Sequence, residues 1–314
     1  MCIYPRLIIN PKYRPNKKNG GIPPKPKDKR VMMVPIGCGH CIECKRQKSN
    51  EWKVRLSEEL KKNKDMYFVT LTFSEDNLKK LEKITTEEKD GEIATENEIA
   101  TKAVRLFCER WRKKYEKSVK HWLITELGHD NTERLHLHGI LFCNQEQIKS
   151  LEKIWNYGWV HIGSYCNERT INYIVKYVTK IDQDHPNFEG KILCSSGIGA
   201  NYIKREVTLN KFNGVNTKEY YRTKDGYKLG LPIYYRNHLY TEEQREQLWI
   251  NKMDKQEIYI NGIRYDISTE EGIKAYTKAL KQAQKDNKKV GYGGIKWKKN
   301  DYEKTLRNAQ ARDI

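Results

Sequence analysis

The run Arg134-Leu135-His136-Leu137-His138-Gly139-Ile140-Leu141-Phe142-Cys143, with His121-Trp122-Leu123-Ile124-Thr125-Glu126-Leu127 before it, decides the fold. Both segments are strand-like in composition. Between them lies Gly128-His129-Asp130-Asn131-Thr132-Glu133, which has the composition of a turn, so the pair is predicted to form a hairpin. A strand repeats every two residues, which puts His136 and His138 on one face. With the turn centred on Asn131, Glu126 lies opposite His136 with Cβ atoms about 5 Å apart. Imidazole nitrogen and carboxylate oxygen are both metal donors, so Glu126, His136 and His138 are the candidate ligands of a divalent ion. Eight histidines in 314 residues give about 0.2 His-x-His pairs by chance. The pair therefore draws its weight from the strand on either side and the carboxylate in register; solvated strand histidines or histidines bonded within the core are the plain alternatives.

Outward from the hairpin, residues 67–73 (Tyr67-Phe68-Val69-Thr70-Leu71-Thr72-Phe73) are predicted to be a buried strand, preceded by a helix over 45–63. Residues 74–97 are densely charged and read as loop. Ile99, Ala103, Leu106, Phe107 and Trp111 recur at helical spacing through residue 115. A helix near 145–155, a strand near 158–165 and a helix over 168–180 follow. Further on, helices are expected near 241–253 and 269–285, then a Lys- and Asn-rich basic tail. Residues 10–30, rich in Pro, Lys and Gly, read as an exposed basic loop.

The helix at 168–180 carries Tyr173 and Tyr177 at i and i+4, on one face, with Lys176 and Lys180 three positions after each. A cation beside a phenol favours the phenolate, and a phenol of pKa about 10 needs such help, or a base or metal, to act as a nucleophile. Tyrosines at this spacing are otherwise ordinary core or stacking residues.

The formal charge of +19 and sequence pI of about 9.4 call for a polyanionic partner, nucleic acid foremost, because Lys and Arg that neutralise phosphates release condensed counterions. No run of about 18 apolar residues exists to cross a membrane. The opening Met1-Cys2-Ile3-Tyr4-Pro5 lacks the layout of a signal peptide, so the eight cysteines are expected in a reducing compartment, as ligands or thiols rather than disulfides. Cys38, Cys41 and Cys44 form C-x-x-C-x-x-C, and Cys2, or less readily His40, supplies a fourth donor for a structural Zn²⁺; an iron–sulfur cluster has similar ligands but no redox companion in the chain. Cys108, Cys143, Cys166 and Cys194 read as buried thiols. The tyrosines at 220, 221, 227, 234, 235 and 240 lie among basic residues, as a DNA-stacking surface requires, and fit core packing of a small subdomain equally well. Gly197-Ile198-Gly199 reads as a turn.

Together these residues resemble the HUH endonucleases, and more narrowly the replication initiators of the Microviridae, single-stranded DNA phages, gokushovirus-like members included. Phe68-Val69-Thr70-Leu71-Thr72-Phe73 looks like the family's first motif. Glu126-Leu127-Gly128 with His136-Leu137-His138 looks like the second, and Tyr173-x-x-Lys176-Tyr177-x-x-Lys180 like the third. The cysteine run, Gly197-Ile198-Gly199 before Asn201-Tyr202, and Leu231-Pro232 leading into Tyr234-Tyr235-Arg236-Asn237 also match the phage group. Leu137 departs from the more polar or aromatic residue usual there, but it points away from the metal. The resemblance implies an α+β fold, an antiparallel sheet of RRM or ferredoxin type flanked by helices. It also implies a Cys-rich segment at 1–50, the endonuclease core at 51–185 and a C-terminal extension at 186–314. By the same resemblance, Mg²⁺ or Mn²⁺ sits on Glu126, His136 and His138, and tyrosine attacks single-stranded origin DNA, leaving a 5′-phosphotyrosine and a 3′-hydroxyl primer for the host polymerase before the strand is rejoined. Lys176 or Lys180 stabilises developing charge, and the setting is the cytoplasm of a bacterial host with its helicase and polymerase. The rivals are a non-catalytic, zinc-containing nucleic-acid-binding protein and a single-strand transposase or plasmid initiator of the same superfamily.

Overall fold

The computed structural model describes residues 2–128, 133–163, 166–182, 184–185, 188–204 and 208–292. The centre of the expected hairpin turn, residues 129–132, and the basic tail from 293 onward lie outside them. The chain divides into two units, one of residues 1–48, 208–220 and 236–314, the other of 49–207 and 221–235.

The first unit opens with strand β1 (Arg6–Ile9) paired antiparallel to β2 (Met33–Ile36). The segment between them is not a plain exposed loop. Asn10 caps a 3-10 turn begun by Pro11, and Asn16 caps another. Tyr13 is buried and donates its hydroxyl proton to Glu246 at 2.7 Å. Proline fixes φ and asparagine supplies caps, so a composition that excludes long helices still builds ordered turns. Helix α1 (Ile42–Lys62) follows.

The second unit is built on a five-stranded antiparallel sheet, so the chain is α+β. Its elements in chain order are β3 (Met66–Thr72), α2 (Glu75–Glu87), α3 (Glu96–Tyr115), β4 (Lys120–Leu127), β5 (Leu135–Phe142), α4 (Gln145–Ile148), α5 (Leu151–Trp155), β6 (Val160–Ile162), α6 (Glu168–Thr179), β7 (Ile192–Cys194), α7 (Asn201–Lys204), and the short pair β8 (Tyr220–Arg222) and β9 (Lys228–Gly230). The large sheet runs β6-β3-β5-β4-β7, with the hairpin near its centre. One face presents Val69, Leu71, Leu123, Leu137 and Leu141 to Phe107 and Trp111 of α3 and Trp155 of α5. The other presents Met66, Trp122, Ile124 and Ile140 to Leu56 of α1 and Ile171, Ile174 and Val178 of α6. Alternation along β5 thus sends Leu135 and Leu137 into the first core and His136 and His138 to the α6 side. A Cβ on Gly139 would sit 2.1 Å from the Trp122 carbonyl oxygen, so only glycine lets β4 and β5 close at that rung.

Residues 74–97 are not loop throughout. Ser74 accepts from the Asn77 amide to start α2, whose Leu78 and Leu81 pack on the first core while its charges face outward. High charge concealed a narrow apolar stripe. The Thr95–Glu98 capping box then starts α3. The later part of the first unit holds α8 (Ile233–Leu239), α9 (Glu242–Asp254), the hairpin β10 (Glu257–Ile260) and β11 (Ile263–Asp266), and α10 (Glu270–Lys289). Asn261 and Gly262, at φ 49° and 82°, make that hairpin's turn, a pairing that Asn-Gly favours because both central residues need positive φ.

Candidate metal and tyrosine site

The registers bring the site together. Glu126 of β4 pairs with His136 of β5, and His136 and His138 pair in turn with Thr72 and Thr70 of β3. The Glu126 Oε2 lies 3.2 Å from His136 Nε2 and 2.9 Å from His138 Nε2. All three side chains offer a ligand atom within 4.8 Å of the others. The remaining ring nitrogens are held from behind: His136 Nδ1–H donates to the Arg134 carbonyl at 3.0 Å, and the Thr70 hydroxyl meets His138 Nδ1 at 3.0 Å. Such outer hydrogen bonds aim ligating imidazoles and set their basicity. Two Nε2 atoms and one carboxylate oxygen converging this way suit a divalent ion that accepts mixed N and O donors.

The electrostatics differ from the expectation in one respect. Lys180 Nζ does not lie beside a phenol; it bonds Glu126 Oε1, leaving Oε2 to the histidines. The one-turn spacing put Lys180 near Tyr177, but a buried carboxylate is the stronger partner for an ammonium than a neutral phenol. Burial pushes the Glu126 carboxyl up, yet the hydrogen bonds from His136, His138 and Lys180 outweigh it and hold Glu126 well below the usual carboxylate range. Burial likewise depresses His136, and the Glu126 carboxylate overcomes this and raises it.

Capped by Asn167 and Thr170, α6 sets its tyrosines against the histidines. The Tyr177 ring stacks on His138, with centroids 4.6 Å apart and planes 19° from parallel, and its hydroxyl lies 2.7 Å from that of Tyr173. Phe68 closes the group, 6.1 Å from His138 and 6.0 Å from Tyr173. Tyr173 is half-exposed. Burial, the bond to Tyr173 and the nearby Glu126 charge all push the Tyr177 phenol upward. The protein's own groups therefore keep this phenol protonated. Lys176 is exposed and makes no side-chain bond among the described residues. Thr70 and Phe68 were not singled out from sequence, although strand alternation opposite His138 was enough to find them.

In the other unit, Cys2, Cys38, Cys41 and Cys44 gather their sulfurs within 4.8 Å of one another. Cys2 is brought in by the Cys38 amide, which donates to its Sγ at 3.2 Å, and the Cys41 amide donates to Cys38 Sγ at 3.2 Å. Hydrogen bonding with Cys2 draws the Cys38 thiol down to about 6. His40 is not part of the group. Of the remaining cysteines, Cys143 is buried, Cys108 and Cys166 are partly so, and Cys194 is exposed on the edge strand β7, contrary to expectation.

The tyrosine-rich segment divides. Tyr221, Tyr235 and Tyr240 are buried, and Tyr235 stacks on Tyr202 at 4.6 Å, so these are core residues; Tyr227 is exposed. The Gly197–Gly199 turn is structural. Gly199, at φ 74°, donates its amide to the buried Glu59, and a Cβ there would lie 2.6 Å from the Arg55 carbonyl. A cavity of about 290 Å³ lies between α1 and the β8–β9 pair, lined by Lys53, Lys61, Lys224, Lys228 and by Asn172 of α6.

Fold and site define a class: an antiparallel α+β domain bearing a two-histidine, one-carboxylate donor set with a tyrosine pair stacked on it. A family model for replication-associated proteins of the ORF2 kind matches residues 66–182, which holds the donor set and both tyrosines. The chain is also similar to the "Replication-associated protein ORF2" of Spiroplasma virus 4, 27% identical over 192 residues, covering 54% of this chain and 57% of that protein. The chain thus spans little more than half the length of this curated relative. No solved structure matches it. Both likenesses support a role in initiating replication. No helix among the described residues is long and apolar enough to cross a membrane.

Proposed function

We propose that this chain is a metal-dependent HUH endonuclease of the Microviridae type that initiates rolling-circle replication by nicking single-stranded origin DNA. The observation that carries this reading is the stacking of Tyr177 on His138, itself one of three donors converging on a single point. A divalent cation such as Mg²⁺ or Mn²⁺, held by Glu126, His136 and His138, would polarise the scissile phosphate and favour the phenolate. Tyr177 or Tyr173 attacks phosphorus through Oη; the P–O3′ bond breaks, the 3′-oxygen takes up a proton, and the 5′-phosphate stays on the tyrosine. The hydroxyls, 2.7 Å apart, can pass a proton between them, and the second tyrosine serves the return transfer that rejoins the strand. Lys180 fixes one oxygen of Glu126, and the exposed Lys176 is available to phosphate oxygens. The Cys2, Cys38, Cys41 and Cys44 group is suited to a structural Zn²⁺, and the strand's partners are host helicase and polymerase in a bacterial cytoplasm. On this reading residues 51–185 are the endonuclease core, flanked by the Cys-rich segment 1–50 and the extension 186–314.

The test is incubation with single-stranded oligonucleotides from the cognate genome and Mg²⁺ or Mn²⁺, followed by denaturing electrophoresis. A covalent protein–DNA adduct is expected, lost in His136→Ala while oligonucleotide binding persists. Adduct with Tyr173→Phe but not Tyr177→Phe makes Tyr177 the first nucleophile. No adduct with either metal would sink the enzyme reading and favour a non-catalytic binding protein.

A further inference from the structure

The residues facing the α6 side of the sheet form two rungs that run past the metal donors to the sheet's edge. In one, Ile124 pairs with His138, His138 with Thr70, and Thr70 with His161 of the edge strand β6. In the other, Glu126 pairs with His136 and His136 with Thr72, and both the amide and the hydroxyl of Thr72 donate to the Trp159 carbonyl, at 3.0 and 2.9 Å. Trp159 thus ends the rung that begins at Glu126. Two strand spacings separate His161 from His138, about 10 Å.

Trp159 is 61% exposed. Its ring stacks on that of His161, with centroids 5.7 Å apart and planes 29° from parallel, while the intervening Val160 packs into the core on the opposite face. The exposure is built in. Gly158 lies so close to the end of β3 that a Cβ would come within 2.6 Å of the Thr72 carbonyl oxygen, and Ser74 donates its amide to the Tyr157 carbonyl at 2.8 Å. The backbone on both sides of Trp159 is therefore clamped, and the indole cannot turn into the core. Tyr157, by contrast, stacks with Phe73 and Trp155 and lies inside. An indole held outward at this cost in apolar exposure needs a flat apolar partner.

We propose that Trp159, backed by His161, is the stacking platform for one base of the single-stranded DNA whose phosphate reaches Glu126, His136 and His138. This rests on the nicking function proposed above and names where that strand lies. Bases stack on aromatic side chains without regard to sequence, whereas the surface of a chain with a charge of +19 holds the phosphates. A strand laid along the rung meets the ligands at one end and the indole at the other. It places a nucleobase, not a phosphate, at the edge of the sheet. Trp159 is a positioning residue and takes no part in bond breaking.

The experiment uses the full chain with a short fluorescent single-stranded oligonucleotide in EDTA, so that binding is read without chemistry. Trp159→Ala is expected to weaken binding about tenfold, and Trp159→Phe, which keeps a ring, by no more than about threefold. Single abasic substitutions along the oligonucleotide should include one position that weakens the wild type as much as Trp159→Ala does, and to which Trp159→Ala is indifferent. That double loss marks stacking and would not arise from a general structural role. Trp159→Ala binding within twofold of wild type, or an abasic effect equal in wild type and variant at every position, overturns the proposal. Adduct formation by the wild type with Mg²⁺ or Mn²⁺ is scored separately. Adduct with unaltered Trp159→Ala binding removes the platform alone, and absence of adduct removes the nicking reaction while the EDTA binding still decides the platform.

Discussion

The two donor clusters of this protein use the same coordination chemistry in opposite settings. The Cys2, Cys38, Cys41 and Cys44 group is closed: four sulfurs face one another, next to the buried Ile3, Ile260 and Ala283 of its unit's small core. The Glu126, His136 and His138 group is open. It has three donors on the rim of a sheet, with Tyr173 half-exposed beside it and an exposed indole at the end of the same rung. A filled tetrahedron contributes folding free energy, and an incomplete shell leaves room for a substrate. The difference teaches that donor count and burial, more than donor type, separate a staple from a working centre.

The largest effect should come from the closed cluster. If it binds zinc, Cys41→Ser removes a ligand from a site of the kind worth about 10–16 kcal/mol of folding free energy, so its unit should lose most of its thermal transition, and metal analysis should find zinc in wild type and not in the variant. By contrast, His136→Ala, in the open cluster, should leave melting nearly unchanged. Equal melting of wild type and Cys41→Ser would erase the distinction between the two.

A smaller effect separates the hairpin's frame from its chemistry. Gly139→Ala forces a methyl onto the Trp122 carbonyl and Leu123, and should cost about 2–4 kcal/mol in a denaturant titration, read by tryptophan fluorescence. Zinc retention by the cysteines should not change. Wild-type stability in this variant would contradict the tight β4–β5 approach. The finest effect concerns what stands behind the ligands. Thr70→Val removes the hydroxyl at His138 Nδ1 and should weaken Mn²⁺ binding, measured by calorimetry, about tenfold, with melting altered by no more than a degree or two. An unchanged affinity would mean that the stacked Tyr177 alone orients His138.

Much of the site was legible in sequence wherever spacing within one element decides it. The two-residue period of β5 put both histidines on one face, the hairpin set Glu126 opposite His136, and the helical period of α6 put Tyr173 and Tyr177 together. These features follow from backbone geometry and survive any packing. The charge of +19 likewise belongs to the chain before it folds. What only the tertiary structure decided is which partner each side chain takes when several are near. Lys180 chose Glu126 over a phenol, and Tyr177 gained a neighbourhood that keeps it protonated. Cys2 reached a cysteine 36 positions away, and Trp159 was pinned outward by Thr72. Such choices depend on burial and on competition between distant groups, neither of which has a period that a sequence can display.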